Sequence, residues 1–172
     1  LVLLLKGRPG GGKTSLVHAL ASHLDKSICL YSMDPELTDS SFINLMGNIK
    51  EDSIFFCDDM DCVFNTKNRD DRKGITLGGL LNGLDGILGA RSIVILSSNH
   101  IDEMDQALVR PGRVDIQFEI KFTTDSVRQI YKKFMSESYE KEMEEEFITN
   151  YKKLKVNVSI ALLQSFFFKY IN

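Results

Sequence analysis

The chain has 172 residues, of which 43% are hydrophobic and 26% charged, a composition that suits one compact domain with a substantial core. A formal net charge of −3 argues against bulk electrostatic attraction to nucleic acid, and no apolar run is long enough to cross a bilayer. Cys29 and Cys57 lie in apolar runs, which predicts buried free thiols and a reducing compartment.

The sequence begins without Met, inside the apolar run "LVLLLK", and no signal peptide precedes it. We therefore expect a domain excised from a longer protein. A targeting segment or membrane anchor would then lie upstream, and contact with a membrane is expected only through that part.

Apolar runs of strand length recur at residues 1–5, 28–31, 54–57 and 93–96, and an alternating run covers residues 114–120. Runs that are apolar throughout are typical of strands buried on both faces of a parallel sheet. Helical spacing gives two stripes between them: Leu16, Leu20 and Leu24, then Phe42, Leu45, Met46 and Ile49. This alternation predicts an α/β fold, a parallel sheet flanked by helices.

Strand patterns end near residue 121, and three helical stripes follow. Thr124 and Ser159 are expected to cap the first and third helices. The stripes are Val127, Ile130, Tyr131, Phe134 and Met135; Tyr139, Met143, Phe147, Tyr151 and Leu154; and Ile160, Leu163, Phe167 and Tyr170. We expect a large α/β subdomain at 1–121 and a small helical subdomain at 122–172. The acidic run 140–146 is expected to be a solvated helix face.

The stretch "LVLLLKGRPGGGKTSLVHAL" supplies a strand, a loop and a helix, with the spacing G-x-x-x-x-G-K-[ST] of a phosphate-binding loop. In such loops backbone N–H groups surround the phosphates, Lys13 would reach the β and γ phosphates, and the Thr14 hydroxyl would bind Mg²⁺. The expected ATP-binding residues are Gly7, Arg8, Pro9, Gly10, Gly11, Gly12, Lys13, Thr14 and Ser15. A glycine-rich turn that merely starts a helix is the alternative, which the flanking strand and helix disfavour.

Two adjacent carboxylates, Asp58 and Asp59, end the third apolar run in "SIFFCDDMD". Their repulsion calls for a cation, a shared proton or solvent. In phosphate-loop ATPases an acidic residue at this point holds Mg²⁺, usually through water, and the next one orients or deprotonates the attacking water. We assign these roles to Asp58 and Asp59. The alternative is that both cap a following helix. Asp61 is expected to be structural.

The stretch "SSNHIDEMDQALVRPGRVD", residues 97–115, closely resembles the second region of homology of AAA ATPases, and "LLNGLDG", residues 80–86, resembles another AAA segment. The resemblance implies that Asn99 is a polar sensor that contacts the γ-phosphate or the attacking water. It implies that Arg110 and Arg113 are arginine fingers, which reach the nucleotide of a neighbouring subunit and can contribute about 10³–10⁵ in rate. Surface ion pairing is the alternative for these two arginines.

Within the AAA family the chain resembles the Bcs-type mitochondrial chaperones, which help assemble the respiratory cytochrome bc complex by moving a folded Rieske protein across the inner membrane. The resemblance lies in "LTDSSFINLM", "SIFFCDDMD", "ITLGGLLNGLDGI", "SSNH" and "VSIALLQSFF". It implies ATP and Mg²⁺ as cofactors and a homo-oligomeric ring, seven-membered in that family. If the resemblance extends to the full-length parent, we expect that protein at the mitochondrial inner membrane. If it does not, we expect a cytoplasmic protein.

Several residues depart from the family patterns. The Bcs type characteristically ends its acidic strand in Glu-Asp, so Asp59 is expected there and Asp58 is the departure. Arg8 stands where AAA loops usually carry Pro, and Gly11 where they usually carry Thr, which is expected to alter affinity rather than function. Phe42 is the one aromatic residue of the segment in which peptide-threading AAA proteins expose a gripping pair, and its helical spacing predicts a core position.

Three functions remain open on the sequence alone. The first is a ring-forming ATPase that remodels or translocates a protein client. The second is a nucleic-acid-directed AAA ATPase, disfavoured because no basic stripe or base-stacking platform is apparent and the run "SFFFKY" at 165–170 is expected to pack in a core. The third is a nucleotide-gated scaffold that barely hydrolyses ATP, which the short reach of Asp59 would favour.

Overall fold

The computed structural model describes residues 1–32, 36–61, 75–87, 92–99, 113–154 and 158–170. The strands are β1 (Val2–Lys6), β2 (Ile28–Ser32), β3 (Ile54–Asp58), β4 (Ile93–Ser98) and β5 (Ile116–Glu119). The helices are α1 (Lys13–His23), α2 (Asp39–Gly47), α3 (Leu77–Ile87), α4 (Thr124–Phe134), α5 (Lys141–Lys153) and α6 (Ile160–Tyr170). Two compact units result: Leu1–Gly7 with Lys13–Glu119, and Arg8–Gly12 with Ile120–Asn172.

The first unit contains a parallel sheet with the strand order β2-β3-β4-β1-β5. In its register Lys6 lies opposite Ser98, and Cys57 lies opposite Leu96. The carboxyl ends of β1, β3 and β4 therefore meet at one edge of the sheet, where ligands bind in open α/β folds. The predicted α/β class with a parallel sheet is confirmed.

Burial differs between the interior strand β3 and its neighbour β2 at the edge of this sheet. Residues 54–57 of β3 are fully buried, and Cys57 is the buried thiol that the sequence predicts. The prediction for Cys29 is wrong, because Cys29 is exposed and its neighbour Leu30 is 55% exposed. The physical reason is position: among the strands that the structure describes, β2 ends the order and pairs with β3 on one side only.

The apolar face of α1 also differs from the prediction. Val17 and Ala21 are buried, with Leu20 packed beside them, whereas Leu16 and Leu24 are about two-fifths exposed. The buried stripe is thus shifted by one residue, and it places small side chains against the sheet. In α2 the predicted stripe is confirmed, because Phe42 and Met46 are buried in the core.

Helices α2 and α3 approach closely because glycines of α3 face α2. A Cβ atom added at Gly83 would lie 2.6 Å from Cε1 of Phe42 and 3.2 Å from Cγ of Met46. At Gly79 it would fall on the carboxyl group of Asp39, which accepts hydrogen bonds from the backbone N–H and the hydroxyl of Thr76, both at 2.7 Å. The sequence "ITLGGLLNGLDGI" therefore encodes a close helix contact.

We expect Gly83→Ala to destabilise the protein by about 2 kcal/mol, because overpacking a filled core outweighs the gain in helix propensity. Gly78→Ala is the matched control, since Gly78 is exposed on the same helix and, among the described residues, an added Cβ would meet only Thr76 Oγ1, at 3.6 Å. The control should be neutral or stabilising by up to about 1 kcal/mol. Urea unfolding measures both; equal unfolding midpoints would contradict the packing argument.

The second unit has its own apolar core, formed by one face each of α4, α5 and α6. Its buried members are Val127, Tyr131, Ile148, Leu163 and Phe167. The predicted cap at Ser159 is confirmed, because its Oγ accepts from the N–H of Leu162 at 3.2 Å. The cap predicted at Thr124 is wrong by one residue, because Thr123 forms a reciprocal capping box with Ser126.

Predictions for the outer residues of this unit are partly wrong. Phe167 is buried in the core, whereas Phe166, Phe168 and Tyr170 are exposed, although "SFFFKY" was expected to pack. In α5 the buried residues are Glu144 and Ile148, neither of which belongs to the predicted stripe. Of that stripe, Phe147 and Tyr151 pack partly buried against the core, whereas Tyr139, Met143 and Leu154 are exposed.

Glu144 is the exception to the solvated acidic run, since it is 2% exposed. Its carboxylate accepts hydrogen bonds from the Tyr139 hydroxyl and from Arg128 Nη1, the latter at 2.9 Å, and Lys132 Nζ lies 3.6 Å away. The Tyr139 and Arg128 hydrogen bonds lower the pKa of Glu144 against the opposing effect of desolvation. Arg128 also binds Glu145, which links α4 to α5.

Candidate functional site

The glycine-rich loop adopts a backbone that requires glycine at specific positions. Gly10 and Gly12 have φ angles of +68° and +93°, in the left-handed region that side chains disfavour. The Gly11 N–H donates to Arg8 O at 3.1 Å, and a Cβ added at Gly11 would come within 2.9 Å of that oxygen. Three successive glycines therefore shape this segment.

Lys13 begins α1 directly after that segment, and its side chain is held inside the first unit. It is 6% exposed, and its Nζ donates to Gly7 O at 2.9 Å and to Asn99 Oδ1 at 2.5 Å. Burial lowers the pKa of the Lys13 amine, while the negative charges of Asp59, Asp58 and Asp61 act in the opposite direction. The amine is thus desolvated, and an anionic phosphate beside it would stabilise its charged form.

Asp58 ends β3 with both carboxylate oxygens engaged. Oδ2 accepts from the Thr14 hydroxyl at 2.9 Å, and Oδ1 accepts from the Ser97 hydroxyl and from the Asp59 N–H at 3.2 Å. The residue is partly buried. A hydroxyl and a carboxylate in contact at this edge are the oxygen donors that Mg²⁺ prefers.

Asp59 points its side chain differently from Asp58, because its φ is +53°. This left-handed conformation is tolerated by Asp better than by most residues. The Asp59 carboxylate accepts from Asn99 Nδ2 at 2.6 Å, so Asn99 joins Asp59 to Lys13. The repulsion between the adjacent carboxylates is thereby reduced, because each accepts hydrogen bonds from its own donors. The Lys13 amine also lies on the far side of Asn99 from Asp59.

Asp61 fixes the end of β4. Its carboxylate accepts from the Ser98 hydroxyl at 2.6 Å and from the Asn99 N–H at 3.1 Å. This is the structural role that the sequence predicted. The hydrogen bonds hold the backbone of Asn99 while its side-chain amide bridges Asp59 and Lys13.

The structure thus brings together most of the predicted site residues of the first unit: Gly7, Lys13, Thr14, Asp58, Asp59 and Asn99. Ser15 is exposed on the first turn of α1, next to Thr14. Arg113 is partly buried just before β5, and Arg110 lies outside the described residues. Sequence reasoning missed Ser97, although the adjacent serines in "SSNH" at a strand end were the available signal.

The donor set fits a magnesium ion that arrives with a nucleotide. Among the residues that the structure describes, no group of three or more His, Cys, Asp or Glu side chains could hold a metal by itself. Thr14 and Asp58 supply two oxygen donors, and Mg²⁺ usually completes such a site with substrate phosphates and water. The buried Lys13 amine next to them fits the same phosphates.

A parallel sheet, a glycine loop opening a helix, a buried lysine and an acidic strand end define the class of phosphate-loop nucleotide-binding domains. The model of the family described as "ATPase family associated with various cellular activities (AAA)" matches residues 3–122. The chain therefore belongs to the AAA family.

Within that family the chain is similar to mitochondrial chaperones. It is 37% identical over 144 residues to "Probable mitochondrial chaperone bcs1" of Schizosaccharomyces pombe, covering 80% of this chain and 32% of the relative. It is 33% identical over 180 residues to "Mitochondrial chaperone BCS1" of Homo sapiens, covering 98% and 43%. An Arabidopsis thaliana relative, "AAA-ATPase At5g17760", is 37% identical over 127 residues, or 66% of this chain and 25% of its own length.

These matches confirm the resemblance to the Bcs-type chaperones. The chain spans less than half the length of these relatives. In the described parts of the chain, no helix has the length and apolar character needed to cross a membrane.

Proposed function

We propose that the chain is the ATP-hydrolysing module of a ring-forming motor that remodels or translocates a protein client, as a Bcs-type chaperone. The observation that carries the proposal is the connected set of side chains at the carboxyl edge of the sheet. Hydrogen bonds connect Lys13 to Asn99 and Asn99 to Asp59. Beside them, the Thr14 hydroxyl donates to Asp58. Phosphate binding, metal binding and activation of water are thus available at one edge.

In the proposed mechanism Lys13 binds the β and γ phosphates of ATP, and Thr14 and Asp58 hold Mg²⁺. The metal, when bound, neutralises charge on the transferred phosphoryl group. Asp59 orients a water and accepts its proton as the water oxygen attacks the γ-phosphorus. The bond from that phosphorus to the β–γ bridging oxygen breaks, and ADP leaves. Asn99 holds Asp59 in position and senses whether a γ-phosphate is present.

The proposal assigns Arg110 and Arg113 to the nucleotide of the neighbouring subunit in a homo-oligomeric ring. A finger in trans would make catalysis depend on assembly. The membership of the AAA family and the similarity to the chaperones named above support this assignment. Their names also support a mitochondrial parent protein, and the burial of Phe42 in the core supports a client that is not gripped by an aromatic residue at that position.

The experiment that tests the proposal is ATP turnover per subunit as a function of protein concentration. Turnover should rise with assembly, measured by light scattering in the same samples, and Arg110→Ala should lose about 10³-fold or more at every concentration. Mixing Arg110→Ala with Asp59→Asn subunits should restore part of the rate, because intact sites of the first would receive fingers from the second.

Three outcomes would contradict the proposal. If turnover is independent of concentration and mixing restores no activity, the two arginines do not act on the nucleotide of a neighbouring subunit. An assembled wild type that binds ATP without hydrolysing it would favour the nucleotide-gated scaffold, and salt-dependent DNA binding would favour the nucleic-acid-directed alternative.

A further inference from the structure

Ser97, on β4, contacts both carboxylate residues of the acidic strand end. Its hydroxyl donates to Asp58 Oδ1 and accepts from the Asp59 N–H at 3.0 Å. Its carbonyl oxygen accepts from the Met60 N–H at 2.9 Å. One residue of β4 therefore holds three consecutive residues at the point where the chain leaves β3.

The hydroxyl is chemically suited to this place. It is one group that both donates and accepts, so it can satisfy a carboxylate and an N–H at once. Ser97 is fully buried, which means that an Ala side chain would leave the Asp59 N–H without this acceptor and Asp58 without this donor. The consequence would fall on the two side chains that the proposed mechanism uses.

The backbone at Asp59 adds to the need for an anchor. A left-handed conformation is disfavoured at residues other than glycine, although Asp tolerates it better than most, and Asp59 has a φ of +53°. This turn separates the side-chain directions of Asp58 and Asp59, which lets one face Thr14 and the other face Asn99. The hydrogen bonds to Ser97 at residues 59 and 60 stabilise the turn on both sides.

We propose that Ser97 is the positioning residue of the magnesium and water site: its hydroxyl orients Asp58 toward Thr14 and fixes the turn that aims Asp59 at Asn99. Because the inference rests on the proposed function, its test needs a readout besides hydrolysis. Outer hydrogen-bond partners of metal-binding carboxylates typically contribute 10–100-fold to metal affinity or activity. The metal dependence of nucleotide binding is therefore the primary measurement.

The experiment titrates Mg²⁺ against a fluorescent ATP analogue bound to the full chain, and measures single-turnover ATP hydrolysis at saturating Mg²⁺. Ser97→Ala should raise the half-saturating Mg²⁺ concentration about 10–100-fold and slow hydrolysis by a similar factor. Ser97→Thr keeps the hydroxyl and should recover most of both losses. Ser92→Ala is the matched control, because Ser92 is a buried serine just before β4, at the opposite end of the same strand, and bonds Lys50 O.

Wild-type Mg²⁺ dependence and hydrolysis in Ser97→Ala would overturn the inference. The same loss in a folded Ser97→Thr, or an equal shift in Ser92→Ala, would also overturn it, because the effect would then reflect packing. Thermal unfolding of each variant separates a folding defect from a binding defect. If the wild type binds the analogue with Mg²⁺ yet does not hydrolyse ATP, the proposed function fails, and the shift in Mg²⁺ dependence still decides the role of Ser97.

Discussion

Asp59→Asn is expected to slow ATP hydrolysis by about 10²–10⁴-fold, the range that a positioned general base contributes, while ATP binding stays near the wild-type level. Asn has the same shape, and its side-chain oxygen can accept from Asn99 Nδ2 as the Asp59 carboxylate does, while Asn99 Oδ1 still accepts from Lys13. What it lacks is the negative charge that orients water and accepts its proton. Single-turnover hydrolysis of radiolabelled ATP on the assembled protein measures the loss.

Asp52→Asn is the matched control for this substitution. Asp52 also has a left-handed φ, +60°, so Asn meets the same backbone demand. Its side chain is 73% exposed in a surface pair with Lys26, and exposed pairs contribute about 0–1 kcal/mol. Asp52→Asn should therefore leave hydrolysis unchanged. Wild-type hydrolysis in Asp59→Asn, or equal loss in both variants, would remove Asp59 from the chemistry.

The sequence predicted those parts of the site that depend on local spacing. The phosphate loop is a contiguous motif, and the acidic strand end and Asn99 each follow a recognisable apolar run. Since parallel strands deliver their carboxyl ends to one edge, the strand directions alone place Asp59 and Asn99 at the same edge of the sheet. The observed pairing of β3 with β4 supplies that contact.

The features that were missed depend on register and on sheet order. Either serine of "SSNH" could have faced Asp58, and the pairing of Cys57 with Leu96 is what sets Ser97 beside it. In α1, apolar residues occur on more than one face, so periodicity alone could not separate Leu16 from Val17. The exposure of Cys29 follows from the edge position of β2 in the sheet, and a run of apolar residues does not show which strand lies at an edge.

Glu144 shows a different limit of sequence patterns. An acidic run predicts a solvated helix face, and Glu144 is buried because Tyr139 and Arg128 offer hydrogen bonds from either side. Arg128 lies sixteen positions away on α4. A buried carboxylate of this kind is recognisable only when its donors are located in space.

Lys13→Met should weaken ATP binding by about 10²–10⁴-fold, because it removes charge-assisted hydrogen bonds to two phosphates, each worth about 1.5–3 kcal/mol. Met retains the length and apolar stem of a side chain that is 6% exposed, so the folded state should survive. The loss should also exceed that at a lysine outside the proposed site, for which Lys26→Met is the control, since the partly buried Lys26 pairs with Asp52. Fluorescence titration with an ATP analogue measures both variants.

The pH dependence of the same titration distinguishes charge from shape. Burial lowers the pKa of Lys13 in the free protein, so its amine loses its proton at a lower pH than an ordinary lysine. Below that pKa the cation is present and affinity should be constant; as the pH rises through it, binding must take up a proton and wild-type affinity should fall. Lys13→Met should lack this decline. If the affinity of both proteins declines in parallel with rising pH, another group titrates. The phosphate contact would then not depend on the charge of Lys13.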